Sequence, residues 1–172
     1  MKLQYLGHSG FFFQDSQHRT ILVDPFITGN PLTSVKANQL TADYIILTHA
    51  HSDHFGDTLT IADKRKTTII CIAELASYIS RKGFKTHSLQ IGGSFSFDFG
   101  KVKLVPALHS SSTSDGAYAG PAAGAVFTVD NKTIYHCGDT GIFGDMKLIG
   151  EIDPIDVLLI PIGGNFTMDI ED

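Results

Sequence analysis

Tyr44-Ile45-Ile46-Leu47-Thr48-His49-Ala50-His51-Ser52-Asp53-His54 joins a short apolar run to three imidazoles and a carboxylate packed into six residues. The run Tyr44–Leu47 reads as a buried strand, β-branched and bounded by polar residues. In extended chain, side chains two residues apart point the same way. His49, His51 and Asp53 are therefore expected to project together from the strand's C-terminal end, with His54 turned to the other side. A solvated polar loop rarely alternates ligand types so densely, so the spacing points to a metal. Imidazole suits zinc and iron, and the carboxylate extends the choice to manganese.

Working outward, the chain of 172 residues is long enough for one domain with a substantial core. Lys2–Leu6, Gly10–Gln14 and Arg19–Asp24 read as consecutive strands, and Thr67–Ile72 as another. A short helix is expected over Asp57–Lys66, and a second over Ala73–Lys82 with Gly83 as its C-cap. Phe95, Phe97 and Phe99 alternate along Ser94–Phe99, followed by a strand over Lys101–Pro106. Ala123–Asp130 and Lys132–His136 flank a turn at Asp130-Asn131 and predict a hairpin, and Asp156–Ile160 reads as a last buried strand. Strand runs with helices set outside them suit two sheets flanked by helices, an α/β class of fold.

The His49-x-His51-x-Asp53-His54 pattern resembles the signature of the metallo-β-lactamase fold superfamily, and nearly the whole chain takes part. Asp24 in Leu22-Val23-Asp24-Pro25 resembles that superfamily's early acidic residue, His109 its next ligand histidine, and Asp139 its bridging carboxylate. Gly7-His8-Ser9-Gly10, Gly138-Asp139-Thr140-Gly141 and Ile160-Pro161-Ile162-Gly163-Gly164-Asn165-Phe166-Thr167-Met168 are similar to a small group of "metal-dependent hydrolases" related to ascorbate-6-phosphate lactonases. The resemblance implies an αββα four-layer sandwich. It also implies two metal sites, zinc first with manganese or iron compatible. His49, His51 and His109 would form the first site and Asp53 and His54 the second, with Asp139 between them. The implied reaction is attack by a metal-activated water on a small ester, lactone or phosphodiester, with Asp53 orienting the nucleophile. His8 and Asp24 would stand behind the ligands or beside substrate.

In the resembling enzymes a helix and a strand follow the Asn165–Thr167 region, and the strand carries one more His for the second site. This sequence stops at Asp172, so it reads as a shortened member whose second site lacks that ligand. Thr167 would cap a helix that barely begins, and an unpaired sheet edge would invite a partner chain, hence a homo-oligomer. A metal-binding module weakened in catalysis is the reading from another class, and a nuclease the second enzymatic one.

Composition narrows these choices. A net charge of −5 argues against a general nucleic-acid binder and leaves a small-molecule substrate as the expected partner. Cys71 and Cys137 lie in apolar contexts and read as buried thiols of a cytoplasmic protein; no stretch has the length or apolarity of a membrane span or signal peptide. Of the remaining histidines, His136 is assigned a supporting role, and His18 and His87 are expected at the surface. Ser110–Ser114 reads as a mobile polar loop beside His109.

Overall fold

A computed structural model describes residues 1–172. The first sheet holds six strands in chain order: β1 (Lys2–Gly7), β2 (Gly10–Gln14), β3 (Thr20–Val23), β4 (Tyr44–Ile46), β5 (Thr68–Ile72) and β6 (Thr86–Leu89). Its first three strands are antiparallel and the rest run parallel. The second sheet is β7 (Ser94–Ser96), β8 (Lys101–Pro106), β9 (Ala123–Val129), β10 (Lys132–His136) and β11 (Val157–Leu159), antiparallel except where β11 joins β10.

The pattern of burial explains the layering. β5 is buried along its whole length, because it packs on the second sheet with one face and on α3 (Ala73–Ser80) with the other. Along β9 and β10 alternate residues serve two interiors. Phe127 and Ile134 enter the main core, where Phe127 meets Phe13 of the first sheet edge-to-face at 5.2 Å between ring centroids. Val126 and Tyr135 point outward and pack under Ile149 of α4 (Asp145–Ile152). Helix, sheet, sheet and helix thus stack as four layers, the αββα arrangement expected from the sequence.

Several local expectations are corrected. Between Asp57 and Lys66 only Thr58–Ile61 is helical. The Phe95–Phe99 stripe does not form one long strand: β7 ends at Ser96, and Phe97 and Gly100 exchange backbone hydrogen bonds in a tight turn that carries Phe99 into the core. His87 is half-buried, its ring 4.2 Å from that of Phe95. β11 is not buried as its composition suggests, because it is the edge strand and leaves Leu158 exposed. Thr167 starts no helix; Asp169 and Asp172 instead close a polar turn on backbone N–H groups. The hairpin between β9 and β10 stands as read, with Asp130 and Asn131 both in the left-handed region, at φ 49° and 61°, as a type I′ turn requires.

Candidate metal centre

The site is assembled where strands of both sheets end. β3 delivers Asp24, β4 leads into His49 and His51, β8 into His109, and β10 into Asp139. After His51 the chain leaves extended geometry for a four-residue helix, Ser52–Phe55, designated α1. This overturns the alternation drawn from spacing. The helical turn swings His54 back beneath His49, with ring centroids 4.1 Å apart, so His54 faces the same cavity and does not point away.

Three groups of potential ligands result. The ring nitrogens of His49, His51 and His109 all lie within 4.8 Å of one another, and so do the ligand atoms of His49, His54 and Asp139. His8, Asp53 and His54 form a third set meeting the same limit. Asp139 divides its carboxylate between the groups, with Oδ1 3.3 Å from His54 Nε2 and Oδ2 3.7 Å from His109 Nε2. The two histidine groups therefore abut at a shared carboxylate.

Asp24 decides which nitrogens face the cavity. Fully buried at φ 43°, it accepts the Thr48 backbone N–H at 2.9 Å, the Thr48 hydroxyl at 2.6 Å and the His54 Nδ1–H at 2.8 Å. Because the Thr48 hydroxyl spends its proton on Asp24, its oxygen can only accept, and it receives Nδ1–H from His49 at 3.0 Å. Both imidazoles are left with Nε2 aimed inward, the nitrogen that would ligate a cation. One carboxylate thus sets one ring directly and the other through a hydroxyl. Thr48 carries no motif of its own, and sequence reasoning missed it.

The charges fit the same reading. Burial opposes ionisation of Asp24, but hydrogen bonding and attraction from His54 hold its pKa down to about 2. Burial likewise opposes charge on His54, yet Asp139 and Asp24 together drive its pKa up to about 10 in the metal-free chain. Burial and the charge of His54 push His49 down to about 3, keeping it a neutral ligand. The hydrogen bond from His8, 3.1 Å away through Nε2, holds Asp53 far below the usual carboxylate range against the effect of burial. Buried without a well-formed hydrogen bond, His54 Nε2 is the atom a cation would satisfy, and the surrounding imidazole and carboxylate donors suit zinc, iron or manganese.

Small groups hold the loops together. Gly138 lies at φ 62°, where a Cβ would come within 2.9 Å of Thr48 Cβ and 3.0 Å of the Ala123 carbonyl oxygen, so only glycine lets the β10 loop bring Asp139 to Thr48. Thr140 Oγ1 accepts the Leu108 N–H at 2.9 Å, and Ser111 Oγ accepts the Ala50 N–H, fixing the His109 loop on both sides. Ser111 is buried, so the serine run is anchored at this residue instead of moving freely. His136 accepts the Gly138 N–H at Nδ1 and donates Nε2–H to the Ser9 carbonyl, tying the His8 turn to the Asp139 loop. His18 is exposed, as are Tyr118 and Asn165.

Taken with this geometry, comparison with known proteins places the chain in a class: it belongs to the β-lactamase superfamily, whose domain model matches residues 19–172. Within that class it groups with metal-dependent hydrolases. It is 48% identical over 174 residues to a UPF0173 metal-dependent hydrolase of Carboxydothermus hydrogenoformans, covering all of this chain and 76% of the relative. A relative of the same description from Anoxybacillus flavithermus is 52% identical over 176 residues, covering all of this chain and 78% of the relative. Igni18, a metallo hydrolase of Ignicoccus hospitalis, superimposes with a TM-score of 0.86 at 38% identity, over 98% of this chain and 73% of Igni18. No helix is long and apolar enough to cross a membrane.

Proposed function

We propose that this metal-dependent hydrolase acts with zinc on a small ester, lactone or phosphodiester, in a cytoplasmic setting compatible with its two buried free thiols. The observation that carries the reading is the meeting of His49, His51 and His109 with His54 and Asp53 across the divided carboxylate of Asp139. His49, His51 and His109 would hold one ion, and Asp53 and His54 a neighbouring one, with Asp139 serving both. When bound, the metal brings the pKa of its water towards neutrality and polarises the substrate's reacting oxygen.

The remaining work falls to the chain. Asp53, kept ionised by the hydrogen bond from His8, would accept a hydrogen bond from the attacking water and orient it towards the substrate. Asp24 and Thr48 hold His49 and His54 in the ligating tautomer throughout. Asp139 and Asp53 stand on the floor of a cleft that also exposes His51 and His109. The test is elemental analysis of the purified protein beside a His49→Ala variant. At least one metal per chain, lost on substitution, is the expected result, with a second held more weakly; a metal-free protein that also fails to take up added zinc sinks the proposal.

A further inference from the structure

Asp57 is a buried carboxylate to which the chemistry of the centre gives no role. It stands just past α1, the single helical turn that carries Asp53 and His54. Its Oδ2 accepts the backbone N–H groups of Ile27 at 3.0 Å and Thr28 at 2.7 Å, and its Oδ1 accepts the Thr28 hydroxyl at 2.6 Å. Its own N–H donates to the Pro25 carbonyl at 2.9 Å. Hydrogen bonds from both the side chain and the backbone of Asp57 therefore fasten the end of α1 to one loop, residues 25–30. Gly56 permits so close an approach: at φ 43°, a Cβ there would lie 2.5 Å from the Pro25 carbonyl oxygen.

That loop reaches both members of the Asp53–His54 pair. It follows directly on Asp24, which accepts the His54 Nδ1–H. Phe26 sets its ring edge-on to that of His8, 5.7 Å away between centroids. Asn30 donates its amide to the Phe26 carbonyl at 3.0 Å and lies against Gly7, where a Cβ would come within 2.9 Å of Asn30 Nδ2. Gly7 and His8 are both left-handed, at φ 94° and 55°, and this turn aims His8 Nε2 at Asp53, 3.1 Å away. The other ligands stand on firmer supports. His49 and His51 extend from β4 and His109 from β8, and Asp24 is tied to the end of β4 through the Thr48 N–H and hydroxyl. A single helical turn has little stability of its own and takes its position from what anchors it.

Resting on the metal-dependent reading above, we propose that Asp57 is the positioning residue for Asp53 and His54, the pair that would hold the second ion. Its carboxylate locks residues 25–30 against the end of α1, and the locked loop presents Asp24 to His54 and His8 to Asp53. Asp57 touches neither ion nor substrate and acts through the distance between α1 and that loop. Zinc takes imidazole and carboxylate donors at about 2.0–2.2 Å, so a small drift of α1 withdraws two donors together. The ion held by His49, His51 and His109 does not use this anchor, and the two positions differ in their dependence on Asp57.

Cobalt titration of the stripped protein, followed by visible absorption, tests this with Asp57→Ala and Asp57→Asn. The Ala variant should keep the first ion's affinity and lose about 10–100-fold for the second, the range found when partners behind metal ligands are removed. Asn retains one oxygen for the two backbone N–H groups and can donate its amide to the Thr28 hydroxyl oxygen, so it should restore the second affinity. A residue that supports only the fold would lower Tm and leave the ratio of the two affinities alone. An unchanged ratio in folded Asp57→Ala protein overturns the proposal, as does an Asn variant no better than Ala. If Ala does not fold, Thr28→Val, which removes only the hydroxyl bond, should shift the ratio in the same direction, and an unmoved ratio is again fatal. Uptake of fewer than two cobalt ions by the unsubstituted protein counts against the two-ion reading of the centre and leaves the role of Asp57 to a metal-free measurement. In nitrogen-15 histidine NMR of the stripped protein, the His54 Nδ1–H should exchange with water faster in the Ala variant than in the Asn variant. Equal exchange in both overturns the positioning role whether or not metal binds.

Discussion

Asp24 carries more of the centre than its distance from substrate suggests. Its two oxygens accept three donors, and those bonds set the tautomers of His49 and His54. Asp24→Asn would replace one acceptor oxygen with an N–H₂ that can accept nothing, leaving either Thr48 or His54 unpaired. Zinc affinity should fall about 10–100-fold, the range found when partners behind metal ligands are removed, read by competition with a chromophoric chelator. His54 makes a prediction about pH. In the metal-free chain its pKa is raised from 6.5 to about 10, so its stabilising contribution is full below pH 6.5 and is lost as pH climbs through 10. His49, depressed from 6.5 to about 3, stays neutral in the fold, and its contribution is lost as pH falls from 6.5 through 3. Thermal denaturation of the stripped protein should therefore be most resistant near pH 6.5. Zinc uptake must displace the His54 proton, so affinity should increase over the same alkaline range in which the stripped fold weakens.

Single elements show what was readable in the sequence and what was not. The strand Tyr44–Ile46, the hairpin at Asp130-Asn131 and the ligand run announced themselves through periodicity and turn chemistry. His54's direction did not, because two-residue alternation holds only while the chain is extended, and α1 begins at Ser52. Thr48, Ser111 and Thr140 were silent for a different reason: a hydroxyl accepting one backbone or imidazole N–H leaves no spacing signature. The exposure of β11 depends on which strand ends a sheet, and its Val-Leu-Leu composition says nothing about that. At the end of β10, Gly138→Ala should destabilise the fold by about 1–3 kcal/mol, since it adds left-handed backbone strain to a contact with Thr48. Calorimetric melting should then show a Tm lowered by at least about 2 °C; an unchanged Tm would mean the Asp139 loop relaxes without loss.

Across the whole molecule, the first sheet supplies Asp24, His49, His51, Asp53 and His54, while the second supplies His109 and Asp139. A cation held by both groups is a clasp between sheets. Loading with zinc at 100 times its dissociation constant should add about 2.7 kcal/mol of stability. In hydrogen exchange, chelator treatment should release protection first in residues 48–55, 107–113 and 137–141, while β5 and β9, buried in the core, keep theirs. Uniform loss across both sheets would mean the metal stabilises the fold globally.

The single carboxylate of Asp24 makes the two ion positions partners in one thermodynamic cycle. Whatever fixes His49 also fixes Thr48 and Asp24, and so prepays part of the cost of orienting His54. Filling one position would change the affinity of the other by a factor that must hold in both directions. Two ions held there would therefore report on each other, and zinc titration of the stripped protein beside a Thr48→Ala variant would show that dependence as a change in the second ion's affinity.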